Sequence, residues 1–445
     1  MNILSRCLRS LPIAFGLLAV GAANAAAIDF SVSLATPVIK AGKTQTAFLK
    51  VGMTGFALPA QGERPPANLA LVIDKSGSMA GDRIARAKQA ATMAVHSLGA
   101  NDIISVIAFD NTVEVVIPAT KVTDQPLITR AIQGIQAAGG TGLFAGVSKG
   151  AAEVRKFIDK NRVNRVILLS DGLANVGPSS PAELGQLGAA LGRQGISVTT
   201  IGLGTAYNED LMTQLAGFSD GNHAFVENAR DLDRIFQREF GDVASVVAQE
   251  VELTIRLKHG IRPVRILGRE GEMGRDTVRL RMNQLYSQQE KYVVVEVEVP
   301  PGKAGERLDL ASMDVTYLNM QSRNQDKLSR SVAVSFSESD DAVAKATDKK
   351  AMVAAVEQVA NTMSKQALDL RDQGKVEEAK KLMEKNASYL SSNRQVLGKD
   401  GEGLRSMETD TRKQAESIGS GSGENWNVQR KSMREYQYRI DNQQK

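Results

Sequence analysis

Five consecutive apolar residues, Leu69-Ala70-Leu71-Val72-Ile73, run directly into Asp74-Lys75-Ser76-Gly77-Ser78. An unbroken apolar run of this length reads as a strand buried on both faces, of the kind found in the middle of a parallel sheet. The strand ends in a carboxylate and two hydroxyls, each two residues apart. Several hard oxygens converging on one turn suit Mg²⁺ or a similar cation. Two more segments carry matching chemistry: Gly139-Gly140-Thr141-Gly142 and Leu168-Leu169-Ser170-Asp171-Gly172.

This constellation resembles the von Willebrand factor A domain and its metal-ion-dependent adhesion site, whose pattern is Asp-x-Ser-x-Ser, then a Thr, then an Asp. Asp74, Ser76, Ser78, Thr141 and Asp171 match it without departure, and the resemblance covers roughly residues 66–240. It implies that Ser76, Ser78 and Thr141 are neutral ligands touching the metal, with Asp74 and Asp171 supplying negative charge directly or through water. A site rich in neutral hydroxyls leaves Mg²⁺ (or Mn²⁺ or Ca²⁺) electron-poor, and in this family a partner protein's Glu or Asp enters as the sixth ligand. Gly77, Gly139, Gly140 and Gly142 let the backbone turn tightly around the ion. The plainer alternative is that Ser76 and Ser78 cap the following helix and Asp171-Gly172 is a simple turn. Three fragments in the right order favour the metal site. Asn175 is a candidate to orient Asp171 or contact a ligand, and Asp110 a candidate for the site rim. Both also read as turn formers.

The N-terminus is of another kind. Arg6 and Arg9 precede a short apolar stretch, Leu11 to Ala22, and Ala23-Asn24-Ala25 is a small-x-small cleavage site. Residues 1–25 therefore read as a secretory signal peptide, too short to span a bilayer. The single cysteine, Cys7, lies inside it, so the exported chain is expected to fold without disulfides in the periplasm or outside the cell. Loss of Arg6 and Arg9 takes the net charge from +5 to +3, without the basic stripe that nucleic-acid binding requires.

The 445 residues exceed one ordinary domain. Residues 26–62 hold two alternating runs, one with Phe30, Val32 and Leu34, the other with Phe48 and Val51. Residues 61–66 are a linker. Across 66–242, amphipathic helices such as Arg83 to Leu98 (Ile84, Ala87, Ala91, Val95) and Ala145 to Ile158 alternate with apolar strands. The expected fold is an α/β doubly wound sheet, which places ligands beyond the strand C-termini. Residues 250–337 alternate again, with Val251, Leu253 and Ile255, then Val293, Val295 and Val297. Two lone N-terminal strands cannot bury a core by themselves. The expectation is one antiparallel β-sandwich built from 26–62 and 250–337, with the α/β domain inserted into it. Residues 340–416 read as a helical hairpin broken at Gly374, and 417–445 as a flexible linker and tail.

Enzyme signatures are mostly absent. Gly139 to Gly146 follows a helix and not a strand, there is no nucleotide-binding lysine loop, and Ser76 is in no nucleophile elbow. The three histidines, His96, His223 and His259, are far apart in sequence. The sequence thus points to a non-enzymatic, metal-dependent protein-binding module of the bacterial cell envelope, engaging a partner's Asp or Glu. Two other classes compete: a metal-independent envelope scaffold acting through the β-sandwich and C-terminal helices, and a metal-assisted hydrolase, for which no general base is evident.

Overall fold

The computed structural model of the chain describes residues 27–58, 64–420 and 423–444. The expected signal peptide, Gln61 to Glu63 of the expected linker, and Gly421-Ser422 lie outside the described residues. Strands β1 (Ile28–Leu34), β2 (Val38–Lys40) and β3 (Gln45–Gly55) come first. The α/β region follows as β4 (Ala67–Asp74), α1 (Asp82–His96), β5 (Ile103–Phe109), β6 (Val113–Lys121), α2 (Gln125–Gln133), α3 (Leu143–Arg155), β7 (Val163–Ser170), α4 (Pro181–Gly192), β8 (Ser197–Leu203), α5 (Glu209–Phe218), β9 (His223–Val226) and α6 (Leu232–Ala244).

The α/β sheet has the order β6-β5-β4-β7-β8-β9 and is parallel except for the β5–β6 hairpin. All eight residues of β4 are buried, because the strand is covered on both faces. Side chains alternate between two cores, as the period of two demands. Leu69, Leu71 and Ile73 join Ile84 and Ala91 of α1 and Phe236 and Phe240 of α6. Ala70 and Val72 join Val147 of α3 and Leu211 and Leu215 of α5. The chain leaves β4 toward β5 on one side and later returns to β7 on the other. This reversal opens a crevice beyond the C-terminal ends of β4 and β7, the usual place for a ligand in such sheets.

Beyond the α/β region run β10 (Val246–Leu257), β11 (Arg262–Leu267), β12 (Glu272–Met273), β13 (Thr277–Tyr286), β14 (Glu290–Val299), β15 (Arg307–Asn319) and β16 (Gln325–Ser337). They combine with the first three strands into a four-stranded sheet, β1-β3-β14-β11, and a six-stranded sheet, β12-β13-β10-β15-β16-β2. Strands from both sides of the α/β region therefore pair. β3 lies antiparallel to β14 from Gln45↔Val299 to Thr54↔Glu290, and the short β2 runs parallel to β16. Phe30, Leu49 and Val295 of the first sheet share one core with Leu253, Met313 and Tyr317 of the second.

The C-terminal part departs from the expected hairpin and flexible tail. Helices α7 (Asp340–Ala346), α8 (Lys349–Asp372), α9 (Val376–Leu397), α10 (Leu404–Ser420) and α11 (Gly423–Asn442) are present. Gly374, with φ +80°, makes the expected break between α8 and α9. Gly419 and Ser420, however, continue α10, and Gly423 starts α11. Leu368, Met383, Ile418 and Met433 bring all four long helices into one small core. α11 also docks on the α/β region. The Tyr438 hydroxyl donates to the Gly221 carbonyl (2.8 Å), Lys431 Nζ donates to the Tyr207 carbonyl (2.7 Å), and Arg430 pairs with Asp210 (2.6 Å) there and with Asp372 of α8 (2.6 Å). The physical reason for the departure is that charged and amide side chains do most of this docking. Lys431 and Gln437 are buried, yet in sequence they read as solvated. No helix among the described residues is long and apolar enough to cross a membrane.

Candidate functional site

The three segments singled out in the sequence meet in the crevice beyond β4 and β7. Asp74, the last residue of β4, is fully buried. Its Oδ1 accepts from the Ser76 backbone N–H (2.7 Å), which turns the chain sharply after the strand. Its Oδ2 accepts from the Ser170 hydroxyl (2.5 Å) at the end of the neighbouring β7. Ser76 Oγ and Ser78 Oγ lie 3.0 Å apart, and Ser78 donates to Asp171 Oδ1 (2.7 Å). Asp171 is also fully buried, and its Oδ2 pairs with the Arg83 guanidinium from the first turn of α1. Burial pushes the Asp74 carboxyl up to about 6, against hydrogen bonds from Ser170 and Ser76 that pull the other way; the charge of Asp171 adds to the rise.

Thr141 arrives on the loop between α2 and α3. A side chain at Gly172 would come within 2.8 Å of Thr141 Oγ1 and 3.6 Å of Ser78 Oγ, so the two hydroxyls border one space that a Cβ at Gly172 would fill. Backbone bonds knit this loop to the first: Gly77 N–H donates to the Gly139 carbonyl (2.9 Å) and Ala138 N–H to the Lys75 carbonyl (2.7 Å). Gly139 needs its positive φ of +79°, and a side chain there would also press on Asp110. Gly77 is not constrained in this way, since a Cβ would meet nothing nearer than 3.5 Å.

Asp110 behaves as expected, whereas Asn175 does not orient Asp171. Asp110 sits at the rim and makes a turn, its Oδ1 accepting from Thr112 N–H (2.8 Å). It also pairs with Lys75 (2.6 Å). Burial would raise this carboxyl, but the Lys75 and Thr112 hydrogen bonds outweigh it and hold Asp110 below the usual range. Asn175 orients Thr141 and not Asp171: its Oδ1 accepts from Thr141 N–H (2.8 Å). Sequence reading missed Ser170 and Arg83. Ser170 stood inside the quoted segment, one residue before Asp171. Arg83 carried no signal beyond its place on an amphipathic helix.

The donor set is two carboxylates and three hydroxyls, all hard oxygens. Among the described residues no group of three or more His, Cys, Asp or Glu could hold an ion, so any cation here depends on the hydroxyls. Hard, neutral-rich oxygen donors fit Mg²⁺ and similar ions, and do not fit a soft thiolate-loving metal. His223 lies on the edge strand β9, bonded through Nδ1 to Thr200 Oγ1 (2.9 Å), and belongs to the core.

Residues 68–238 match the family description "von Willebrand factor type A domain". An uncharacterized protein from Synechocystis, sll0103, is 30% identical over 231 residues, which is 52% of this chain and 54% of that protein. The chain thus spans about half the length of this curated relative. Among solved structures, a von Willebrand factor type A protein from Catenulispora acidiphila superposes with a TM-score of 0.68 at 16% identity, covering 89% of this chain and 91% of that one. The ArnB paralog VWA2 from Sulfolobus acidocaldarius gives 0.63 at 18% identity, covering 94% and 99%. These likenesses concern the fold, and they extend over the sheets and helices around the α/β region. Domains of this description generally mediate protein–protein interaction. The α/β region of this chain, residues 68–238, is a von Willebrand factor type A domain.

Proposed function

We propose that the chain is a binding protein whose von Willebrand factor A domain holds a divalent cation on Asp74, Ser76, Ser78, Thr141 and Asp171, and through it captures a carboxylate of a partner protein. The observation that carries this reading is the convergence of two fully buried carboxylates with serine and threonine hydroxyls at the sheet's reversal point, where Ser78 remains open to solvent. When bound, the cation would supply an electron-poor centre for the partner's carboxylate. Asp74 and Asp171 would balance its charge, Ser170 and the Ser76 N–H fix the Asp74 carboxylate, and Asn175 fixes Thr141. No catalytic step is part of this reading.

The arginine-containing, apolar N-terminal run with its small-x-small end supports export, so the proposed setting is the periplasm or cell envelope. The pairing of β1–β3 with strands beyond the domain supports reading the two outer sheets as one β-sandwich that the domain interrupts. The test is capture from cell-envelope extract by the protein in Mg²⁺, in EDTA, and with Asp74→Ala. Retention only with Mg²⁺ and the intact aspartate supports the reading. Retention under all three conditions overturns it in favour of a metal-independent scaffold. That second reading has its own support in the docked helices α8 to α11, and it predicts that removing them abolishes capture while Asp74→Ala does not.

A further inference from the structure

We propose that β16 pairs with β16 of a second copy of the chain. The two strands run antiparallel about a two-fold axis through Leu328 and join the six-stranded sheets into one. The proposed metal-ion site plays no part in this contact.

β16 is 13 residues long, and its outer edge is mostly open. β2 covers only Ser335 to Ser337, and among the described residues no other strand pairs on that side. The β15–β16 hairpin closes with Asn319 N–H on the Asn324 carbonyl (2.9 Å). From that bond, the register Tyr317↔Asp326, Val315↔Leu328 and Met313↔Arg330 makes these the residues bonded to β15. Lys327, Ser329 and Ser331 therefore turn their backbone N–H and C=O outward. Ser335 keeps the same phase, its N–H donating to the Pro37 carbonyl (2.9 Å) beside β2. Open backbone of this kind is a template for another strand. Other edges are short or blunted. β12 has two residues, and β11 carries Pro263 with a register shift beside it. β6 carries Pro118, and its Ala119 N–H is capped by Glu153 Oε2 (3.0 Å). No proline interrupts β16.

Charge selects a second copy as the occupant. In Asp326-Lys327-Leu328-Ser329-Arg330, the period of two puts Asp326 and Arg330 on the same face as Leu328, which packs at the border of the sandwich core. Asp326 accepts from Asn319 Nδ2 (2.9 Å) and Arg330 donates to the Ser329 carbonyl (3.0 Å), but neither charge is matched within the chain. Lys327, on the other face, already has Asp314 at 3.7 Å. A second β16 laid antiparallel with Leu328 opposite Leu328 sets Asp326 opposite Arg330 twice. It also faces the outward N–H and C=O of Lys327 with those of Ser329. The charge pairs then fall at the non-hydrogen-bonded positions, where facing side chains come closest. Moving the axis one residue puts a charge opposite Leu328. Moving it two puts Asp326 on Asp326 or Arg330 on Arg330. The charges thus reject other registers and accept one. A single strand pair is smaller than the standard interface of about 1,600 Å², so association in the micromolar range is expected.

The experiment is sedimentation equilibrium of the full chain across the micromolar range, for wild type, Arg330→Asp and the swap Asp326→Arg/Arg330→Asp. Wild type is expected to follow a monomer–dimer equilibrium. Arg330→Asp should weaken it about ten-fold or more, because two attractive pairs become repulsive. The swap should restore it. Arg330 is exposed, so Arg330→Asp is expected to keep the wild-type thermal midpoint in dilute solution. A second measurement does not depend on the folding of the swap. Cys7 is the only cysteine. In a Cys7→Ser background, Leu328→Cys should form an intermolecular disulfide under mild oxidation, and Ser331→Cys should not. A monomer at every concentration, a dimer unchanged by Arg330→Asp, or equal crosslinking through Leu328→Cys and Ser331→Cys overturns the proposal.

Discussion

Two of the places where this molecule buries carboxylates treat them in opposite ways. At the proposed metal-ion site Asp74 has only hydroxyl and backbone donors, and burial pushes it up to about 6. At the turn between α5 and β9, Asp220 is almost as buried but pairs with Lys291 (3.1 Å) and Arg269 (3.0 Å) and accepts from the Asn283 N–H (2.8 Å). Burial alone would raise Asp220 too; Lys291 and Arg269 outweigh it and hold the carboxyl below the usual range. The nearby α11 contact repeats this pattern, with Arg430 and Arg434 on Asp210. A buried carboxylate with full countercharge is closed and structural. One left short of countercharge is poised to take a cation.

The contrast can be broken most severely at Asp220. Asp220→Asn strands the buried Lys291 and Arg269 charges, and removal of one partner of a buried pair costs about 3–5 kcal/mol. A large drop in the urea or thermal midpoint is expected, and an unchanged midpoint would show that the closed cluster is not structural.

Acid probes the same interface. Burial, with the Lys431 charge adding to it, pushes His223 down to about 3. Its unfolded value is near 6.5, so the unfolded chain binds the extra proton first as pH falls. His223 therefore contributes stability that is fully present above about pH 6.5 and is lost toward pH 3, about 2 kcal/mol of it between pH 7 and pH 5. His223→Asn should flatten that part of the stability–pH curve relative to wild type, and parallel curves would count against it.

At the proposed metal-ion site the sign reverses. Asp74→Asn removes a buried charge that lacks countercharge and keeps the polar contacts to Ser76 and Ser170. Without divalent cations at neutral pH it should leave the fold unharmed or stabilise it by about 2 kcal/mol. Marked destabilisation in chelator would mean that the Asp74 charge is already satisfied. The smallest effect belongs to Arg83→Gln. The half-exposed guanidinium contributes less than about 1 kcal/mol to stability. Its loss should tighten cation binding a few-fold by removing a competing positive charge from Asp171, as read by calorimetric titration.

The α/β domain was legible in the sequence because its strands are buried on both faces and its helices carry apolar stripes. Both patterns are local. Asp74, Ser76, Ser78, Thr141 and Asp171 were legible as a motif, and the crevice brings them together. Ser170 and Arg83 were not, because each acts through a hydrogen bond between distant positions that leaves no periodic trace. Asn175 was noticed but given the wrong partner, since a loop amide has several acceptors and donors within reach. The α11 helix was illegible for a stronger reason. Arg430, Lys431 and Arg434 look like a solvated face until α5 supplies Glu209 and Asp210 opposite them. Polar docking surfaces are set by tertiary contact, whereas apolar stripes announce themselves.

The most direct measurement is thermal unfolding of wild type and Asp74→Asn in EDTA and in excess Mg²⁺. The account predicts that Mg²⁺ at 100 times its dissociation constant stabilises wild type by about 2.7 kcal/mol, while Asp74→Asn stays at its EDTA midpoint. Equal Mg²⁺ responses in the two proteins, or none in wild type, would contradict it.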